Sequence, residues 1–165
     1  MMKMRRKMKK IELKNLAEYF GSRLPANRIT ERETRIAVVR LYGSLALAYK
    51  GVTDEIEEIR KGLVGDHEPD VRKWAQLEQK AKDEKATKKE REAAKKEADS
   101  MKECVRINND YEQAVTALLS EDIEVEVKKV PLEVLYEALC DCDFPNLDPS
   151  IPVGALAQMF APVIE

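Results

Sequence analysis

One long stretch of the chain places an apolar residue every three or four positions. The members of this stripe are Val38, Leu41, Leu45, Ala48, Val52, Ile56, Ile59 and Leu63. Such spacing aligns side chains on one face of an α-helix. Thr30 and Glu33 match a capping box, which is typical of a helix start, while Gly65 and Pro69 are typical of a helix end. We therefore predict a long helix over residues 30–64.

The next segment, residues 70–103, carries eleven basic and nine acidic residues. Ion pairs along an exposed helix stabilise it by only about 0.2–0.5 kcal/mol each, so packing must supply the rest. Thr87 and Glu90 form a second capping-box pair, which predicts a turn near Ala86. We predict an antiparallel helical hairpin that protrudes as a coiled-coil-like arm, with a disordered tip as the alternative. Its second helix is expected to run without a break over residues 88–119. The predicted seam of that helix is Ala94, Ala98, Met101, Val105, Asn108, Val115 and Leu119.

A short stretch of strict alternation interrupts the helical pattern. Ile123, Val125 and Val127 alternate with charged residues, which predicts a strand with one buried face. Pro131 cannot donate to a sheet ladder but is tolerated in the first turn of a helix, so a further helix is expected there. The strand needs a partner. Residues 9–13 are the local candidate, and pairing of the exposed edge with another chain is the alternative.

The two ends of the chain differ in charge and polarity. Residues 1–10 contain six Lys or Arg and no acid, whereas residues 120–165 contain ten acids and two lysines. We predict that residues 1–10 form a disordered basic leader, and contact with nucleic acid is the alternative. The apolar residues near the C-terminus, which include Phe144 and Phe160, are expected to wrap onto the body of the protein. An exposed docking peptide is the alternative.

Together these patterns predict a mainly α fold with a minor β part. A long antiparallel helical hairpin, or coiled-coil-like arm, stands on a small base with one or two short strands. The base is assigned to residues 11–69 and 104–165, and the charged arm to residues 70–103. Charged residues make up 36 % of the chain and aromatic residues 5 %, whereas an average globular domain has about 25 % charged residues. A large compact core is therefore not expected.

The sequence contains no recognisable catalytic or metal-binding pattern. His67 is the only histidine and stands among loop acids, where we interpret it as part of a solvated turn. Cys140 and Cys142 lack the spacing and the further ligands of a zinc site. Neither a phosphate-binding glycine loop nor a nucleophile elbow occurs. We predict a protein that is not an enzyme and that needs no cofactor or metal.

The composition also narrows the compartment and the partners. No apolar run approaches the roughly 18 residues of a membrane span, and no signal-peptide core follows the basic start. Three cysteines without a secretory leader favour a reducing, cytoplasmic environment. A net charge of −2 argues against a dedicated nucleic-acid binder. The expected partners are proteins, which include further copies of the chain.

The order of these features resembles small proteins encoded by tailed bacteriophages and prophages. In that group a helical pair leads through an Asn-containing helix into a VEVEV-like strand and a Pro-Leu step. The resemblance covers residues 9–64 and 107–165, and residues 70–103 read as an insertion. The segments that carry it are KKIELKNLAEYF, RITERETRIAVVRLYGSLALAYKGVTDEIEEIRKGLV, INNDYEQAVTALLSEDIEVEVKKVPLEVL and LAQMFAPVIE. The resemblance implies a viral origin, a location in the host cytoplasm or the virion, and a non-enzymatic role.

Three functions are therefore open. The leading hypothesis is a phage assembly, accessory or minor structural protein that acts by protein–protein contact. The second is an inhibitor that binds a host defence enzyme, and the third is a nucleic-acid-binding accessory protein that uses the basic N-terminus. Trp74 is either an exposed hot spot for a partner or buried against the first long helix. The full set of candidate interaction residues is Trp74, Ile123, Val125, Val127, Phe144 and Phe160.

Overall fold

A computed structural model describes residues 4–23, 28–141 and 160–164 of the chain. It contains helices and one antiparallel pair of strands, which confirms the predicted mainly α fold with a minor β part. A 3₁₀ turn at Gly65–His67 separates α2 from α3. The elements in chain order are β1 (Met4–Lys9), α1 (Lys10–Arg23), α2 (Arg32–Val64), α3 (Glu68–Lys82), α4 (Lys88–Ser100), α5 (Lys102–Leu119), β2 (Asp122–Val127) and α6 (Leu132–Asp141).

The chain divides into two compact units. Met1–Thr53 together with Leu119–Glu165 forms the first, which we call the base unit. Asp54–Leu118 forms the second, which we call the hairpin unit. These bounds differ from the predicted ones, because residues 54–69 and 104–118 lie in the same unit as the charged segment, residues 70–103.

The strands β1 and β2 run antiparallel, from Met4 opposite Val127 to Lys9 opposite Asp122. The basic start of the chain is thus part of the sheet, and the prediction of a disordered leader is wrong from Met4 onward. The prediction that residues 9–13 pair with β2 holds only at Lys9, which stands opposite Asp122, and is wrong for residues 10–13. The expected meeting of the basic start and the acidic strand does occur, about five residues earlier in the sequence.

Helix α1 explains why residues 10–13 do not form a strand. Its buried side chains lie three or four positions apart from Leu13 onward, and this helical period prevails over a short strand signal. These side chains are Leu13, Leu16, Ala17 and Phe20.

The two faces of the small sheet are chemically opposite. Met8, Val125 and Val127 are buried on one face, which confirms the predicted half-buried strand. On the other, exposed face, three basic residues of β1 stand directly opposite three acidic residues of β2. The cross-strand pairs are Arg5 with Glu126, Lys7 with Glu124, and Lys9 with Asp122.

Helix α2 buries the predicted stripe most completely in its first part, where Val38, Leu41, Leu45 and Val52 are all buried. The helix begins at Arg32, two residues after the predicted start. The carboxylate of Glu31 accepts the backbone N–H of Thr34 at 2.6 Å and that of Glu33 at 3.1 Å, as an N-terminal cap does.

Helix α2 ends at Val64, directly before Gly65, as predicted. This glycine adopts φ +46°, in the left-handed region that glycine tolerates and that commonly terminates helices. Pro69 has a different role from the predicted one, because it lies in the first turn of α3. A proline there sacrifices no intrahelical hydrogen bond.

In the hairpin unit, α3 packs against α4. Lys73 lies 2.9 Å from Glu97, and Lys95 lies 2.9 Å from Glu78, so positions later in α4 meet positions earlier in α3. The two helices are therefore antiparallel, as predicted.

The turn of the hairpin ends in the predicted capping box. The Glu90 backbone N–H donates to the Thr87 hydroxyl at 3.3 Å, and the Thr87 N–H donates to the Glu90 carboxylate at 2.9 Å. The first two predicted seam residues of α4, Ala94 and Ala98, are buried. Small side chains at this spacing allow α3 to approach closely.

The predicted unbroken helix over residues 88–119 is wrong at one position. Met101 has φ −82° and ψ 64°, which lies outside the helical region and separates α4 from α5. The break rotates the second helix relative to the predicted seam. In α5 the buried side chains are Cys104, Ile107 and Leu118, each one residue before a position of the predicted seam.

The C-terminal residues 160–164 pack onto the base unit. Phe160 and Val163 are buried, and the Val130 N–H donates to the Val163 carbonyl at 3.0 Å. Val130 also pairs with Ile164 in a parallel bridge. Helix α6 begins directly after Pro131, whose carbonyl accepts the N–H of Leu135, as the sequence predicted.

Candidate protein-interaction site

Exposed apolar side chains gather on α2. Val39 is 50 % exposed and Leu47 is 77 % exposed, and Ile36 and Tyr42 are also exposed. Ile36, Val39 and Leu47 lie off the buried stripe of the same helix, so the packing of the described base unit does not account for them, whereas Tyr42 lies beside Gly21 of α1. Single exposed apolar residues are ordinary, but several on one helix face indicate a contact surface.

Two of these side chains border a groove of about 630 Å³ between α2 and β2, which we call the α2–β2 groove. Val39, Gly43 and Leu47 contribute to its helical wall. Glu124 and Val125 contribute to the wall formed by the strand. All of these residues belong to the base unit.

Gly43 lies in the middle of the helical wall. A glycine inside a helix is less favourable than alanine by about 1 kcal/mol. Among the described residues, a Cβ at Gly43 would meet no side chain of a non-adjacent residue, and no backbone from outside its own helix, within 4 Å. Packing within the described chain therefore does not require a glycine here, whereas close approach by another backbone would.

The groove carries charges of both signs. Arg40 lies on its helical wall and Glu124 on its strand wall. Within the described ranges neither side chain forms an ion pair with an oppositely charged residue. Both charges are thus accessible to groups that enter the groove.

The backbone of β2 presents an outer edge on the side away from β1. The Lys10 N–H donates to the Glu121 carbonyl at 2.9 Å, which fixes the phase of the antiparallel ladder. Along an antiparallel ladder, every second residue exchanges hydrogen bonds with the partner strand. Ile123 and Val125 therefore bond to β1, and the N–H and C=O of Glu124 point outward. The Lys9 N–H agrees with this phase, because it donates to the Glu12 carboxylate, away from β2.

The structure places the predicted interaction residues of β2 in the sheet rather than at an open surface. Val125 and Val127 are buried, and Ile123 is half-buried. Their side chains hold the strand on the base unit. Any contact that β2 makes with a partner therefore involves its outer edge and its charged face.

The predicted aromatic candidates lie in different parts of the chain. Phe160 is buried, with ring centroids 5.4 Å from Tyr19 and 5.9 Å from Phe20, so it is a core residue. Trp74 is half-buried in the hairpin unit, and its buried indole N–H finds no acceptor among the described residues. Phe144 lies outside the described residues.

The sequence reasoning missed Val39, Leu47, Arg40 and Glu124 as candidate site residues. Apolar residues that fall off the periodic stripe were the signal available for Val39 and Leu47. No local signal exists for Glu124, because its role depends on how β2 lies beside α2.

A second groove, of about 640 Å³, lies between α1 and α2. Its polar groups bind one another: the Tyr49 hydroxyl donates to the Glu18 carboxylate at 3.2 Å, and Lys14 lies 2.8 Å from that carboxylate. The hydrogen bond from Lys14 lowers the pKa of Glu18, and burial raises the pKa of Tyr49. These paired groups are less available to a ligand than those of the α2–β2 groove.

Within the described part of the chain, no three His, Cys, Asp or Glu side chains are placed to hold a metal ion. Among the helices of the same residues, none is long and apolar enough to cross a membrane.

No protein-family model matches the chain, and neither a curated protein nor a solved structure shows significant similarity to it.

Proposed function

We propose that this protein binds another protein through the α2–β2 groove and catalyses no reaction, as an assembly or accessory component of a tailed bacteriophage or prophage. The observation that carries the proposal is the exposure of Leu47 beside Val39, with open space over Gly43 between them. Burial of apolar surface stabilises a complex by about 25 cal/mol per Å² before the costs of association. An apolar groove with a few charges at its walls is suited to such burial.

The viral part of the proposal is supported by the sequence resemblance over residues 9–64 and 107–165. In this role the protein would act in the host cytoplasm or in the virion. An inhibitor of a host defence enzyme would use the same groove, so the identity of the bound protein distinguishes that alternative.

The structure lends less support to nucleic-acid binding by the basic N-terminus. Along β1, Arg5, Lys7 and Lys9 each stand opposite an acidic residue of β2. Affinity for nucleic acid comes mainly from cations that are available to phosphates, and neighbouring carboxylates weaken that attraction.

The test is photo-crosslinking in cells that produce phage. The photoreactive residue p-benzoylphenylalanine replaces Leu47 in one variant and Glu84 in a matched control. Glu84 lies exposed in the turn of the hairpin unit, outside the groove. Adducts are isolated by an affinity tag and identified by mass spectrometry.

We expect position 47 to form an adduct with an identified phage capsid, portal, tail or assembly protein, and position 84 to form none with that protein. An adduct between position 47 and a host defence enzyme would instead support the inhibitor alternative. Equal adducts at both positions, or none at position 47, would contradict binding through the groove.

A further inference from the structure

We propose that the α2–β2 groove binds an extended segment of the partner protein, which adds to the outer edge of β2 as a third strand. Its side chains would alternate between apolar residues that face α2 and basic residues on the exposed face of the sheet. This inference rests on the proposed function and specifies the partner's chemistry.

The backbone of β2 provides the first reason. The N–H and C=O of Glu124 point away from β1, and the groove is lined by residues of β2 and by no described residue of β1. An edge strand with outward N–H and C=O groups is a template for a further strand. A two-stranded sheet is also the smallest possible, and an added strand would extend its buried face.

The dimensions of the two walls provide the second reason. The strand wall runs over residues 124–128, about 13 Å at 3.3 Å per residue. The helical wall runs over residues 39–48, also about 13 Å at 1.5 Å per residue. A strand of four or five residues therefore matches both walls.

The spacing on α2 suits the side chains of such a strand. Val39, Gly43 and Leu47 follow one another every four residues, about 6 Å apart along the helix. Alternate side chains of a strand repeat every 6.6 Å or so. One face of the added strand can thus meet Val39 and Leu47, while its backbone passes the open space at Gly43.

The charges that line the groove determine which side chains the other face of the added strand would carry. Glu124 stands opposite Lys7 on the exposed face of the sheet, and on the outer side of β2 no described strand places a residue opposite it. A Lys or Arg of the added strand would therefore pair with Glu124 from that side, as opposite charges do across strands. Arg40 on the helical wall disfavours a basic side chain on the apolar face, which fixes the alternation.

The experiment uses the full chain and a synthetic peptide of alternating lysine and valine residues. Amide hydrogen exchange is followed by NMR with and without the peptide. With peptide at about ten times its Kd, exchange at the Glu124 amide should slow about tenfold. Exchange at Val125, whose amide is already bonded to β1, should not change.

Two variants separate strand addition from nonspecific attraction. Glu124→Pro removes the outward N–H and leaves the bonds to β1, so it should weaken binding of the lysine–valine peptide about tenfold while the Tm of the chain is unchanged. Glu124→Lys keeps the backbone and reverses the charge, so it should bind a peptide of alternating glutamate and valine in preference to the lysine peptide. Glu84→Lys is the matched control and should keep the original preference.

Peptide binding without protection of Glu124 would overturn strand addition. A Glu124→Lys variant that still prefers the lysine peptide would also overturn it. This variant remains informative if Glu124→Pro fails to fold. Slow exchange at Glu124 in the free chain would place a segment of the chain itself, or a second copy, on this edge and would also overturn the inference. Crosslinks from position 47 to a phage protein, if they persisted in these cases, would leave the proposed function intact.

Discussion

The ammonium group of Lys10 lies 2.9 Å from the carboxylate of Glu121, at the end of the sheet where β1 passes into α1. The Lys10 side chain is 8 % exposed and that of Glu121 is 59 % exposed. Lys10 also donates its backbone N–H to the Glu121 carbonyl. One pair of residues thus joins the basic start of the chain to the acidic strand by both backbone and side chain.

Replacement of the Glu121 carboxylate should destabilise the base unit. In Glu121→Gln the buried Lys10 ammonium loses a negatively charged neighbour in a place that water reaches poorly. We expect the free energy of unfolding to fall by about 1–2 kcal/mol, less than for a fully buried pair because Glu121 is more than half exposed. Urea denaturation measures the change. Glu84→Gln, in the exposed turn, should have no effect, and an equal loss in both variants would contradict the role of the pair.

The exposed face of the sheet should make stability depend on pH. Lys7 lies 3.0 Å from Asp122, and this hydrogen bond lowers the pKa of Asp122 and raises the pKa of Lys7. Because the pKa of Asp122 is lower in the folded chain, its ionised carboxylate stabilises the fold at pH values above the ordinary Asp pKa of 3.8. This stabilisation is lost as the pH falls through the lowered pKa. Because the pKa of Lys7 is higher in the folded chain, its ammonium group stabilises the fold at pH values below the ordinary Lys pKa of 10.5. This stabilisation is lost as the pH rises through the raised pKa.

The difference in Tm between the unmodified chain and Asp122→Asn should therefore be largest between about pH 4 and 10 and should shrink outside that window. Thermal unfolding followed by circular dichroism across this range measures it. Asp54→Asn, on the exposed side of α2, is the control and should show no such window. A constant difference for Asp122→Asn at all pH values would count against the ion pair.

Phe160 should be a major contributor to the stability of the base unit. Its ring packs against Tyr19 and Phe20 of α1, and its removal would leave a cavity. We expect Phe160→Ala to lower the free energy of unfolding by about 3–5 kcal/mol. Leu132→Ala, at a position that is 54 % exposed, should change it by less than about 0.5 kcal/mol. Similar small changes in both variants would show that residues 160–164 do not pack as described.

The capping box should stabilise the hairpin unit locally. Thr87→Ala removes the hydroxyl that accepts the Glu90 N–H, and loss of an N-cap costs about 1 kcal/mol. Amide hydrogen exchange in the first turn of α4 should become faster while the amides of β1 stay unchanged. Thr116→Ala, an exposed position within α5, should not alter exchange in α4. Unchanged exchange after Thr87→Ala would contradict the cap.

The sequence predicts the elements that depend on local signals. Thr87 and Glu90 lie three residues apart, and the alternation around Val125 spans only a few residues, so each can be recognised without tertiary information. The break at Met101 involves neither glycine nor proline and gives no such signal. The five-residue chain reversal between α3 and α4 was predictable because the cap marks where the second helix starts.

The errors arise where distant residues decide the outcome. Residues 4–9 are basic and lack β-branched side chains, so their strand propensity is low. They form a strand because their backbone pairs with β2, more than a hundred positions away, and because Met8 is buried there. The α2–β2 groove has the same origin: Leu47 and Glu124 become neighbours of one cavity only after the chain has folded.

The central claim is that the groove binds a protein, and Leu47→Ser tests it most directly. The measurement is the Kd for the phage protein identified by crosslinking, by isothermal titration calorimetry, for the unmodified chain, Leu47→Ser and Leu132→Ser. Leu132 is also an exposed leucine, but it lies on α6 and does not border the groove. We predict that Leu47→Ser weakens binding about tenfold, equivalent to about 1.4 kcal/mol, with an unchanged Tm, and that Leu132→Ser binds as the unmodified chain does. Equal affinities for all three proteins would contradict the claim.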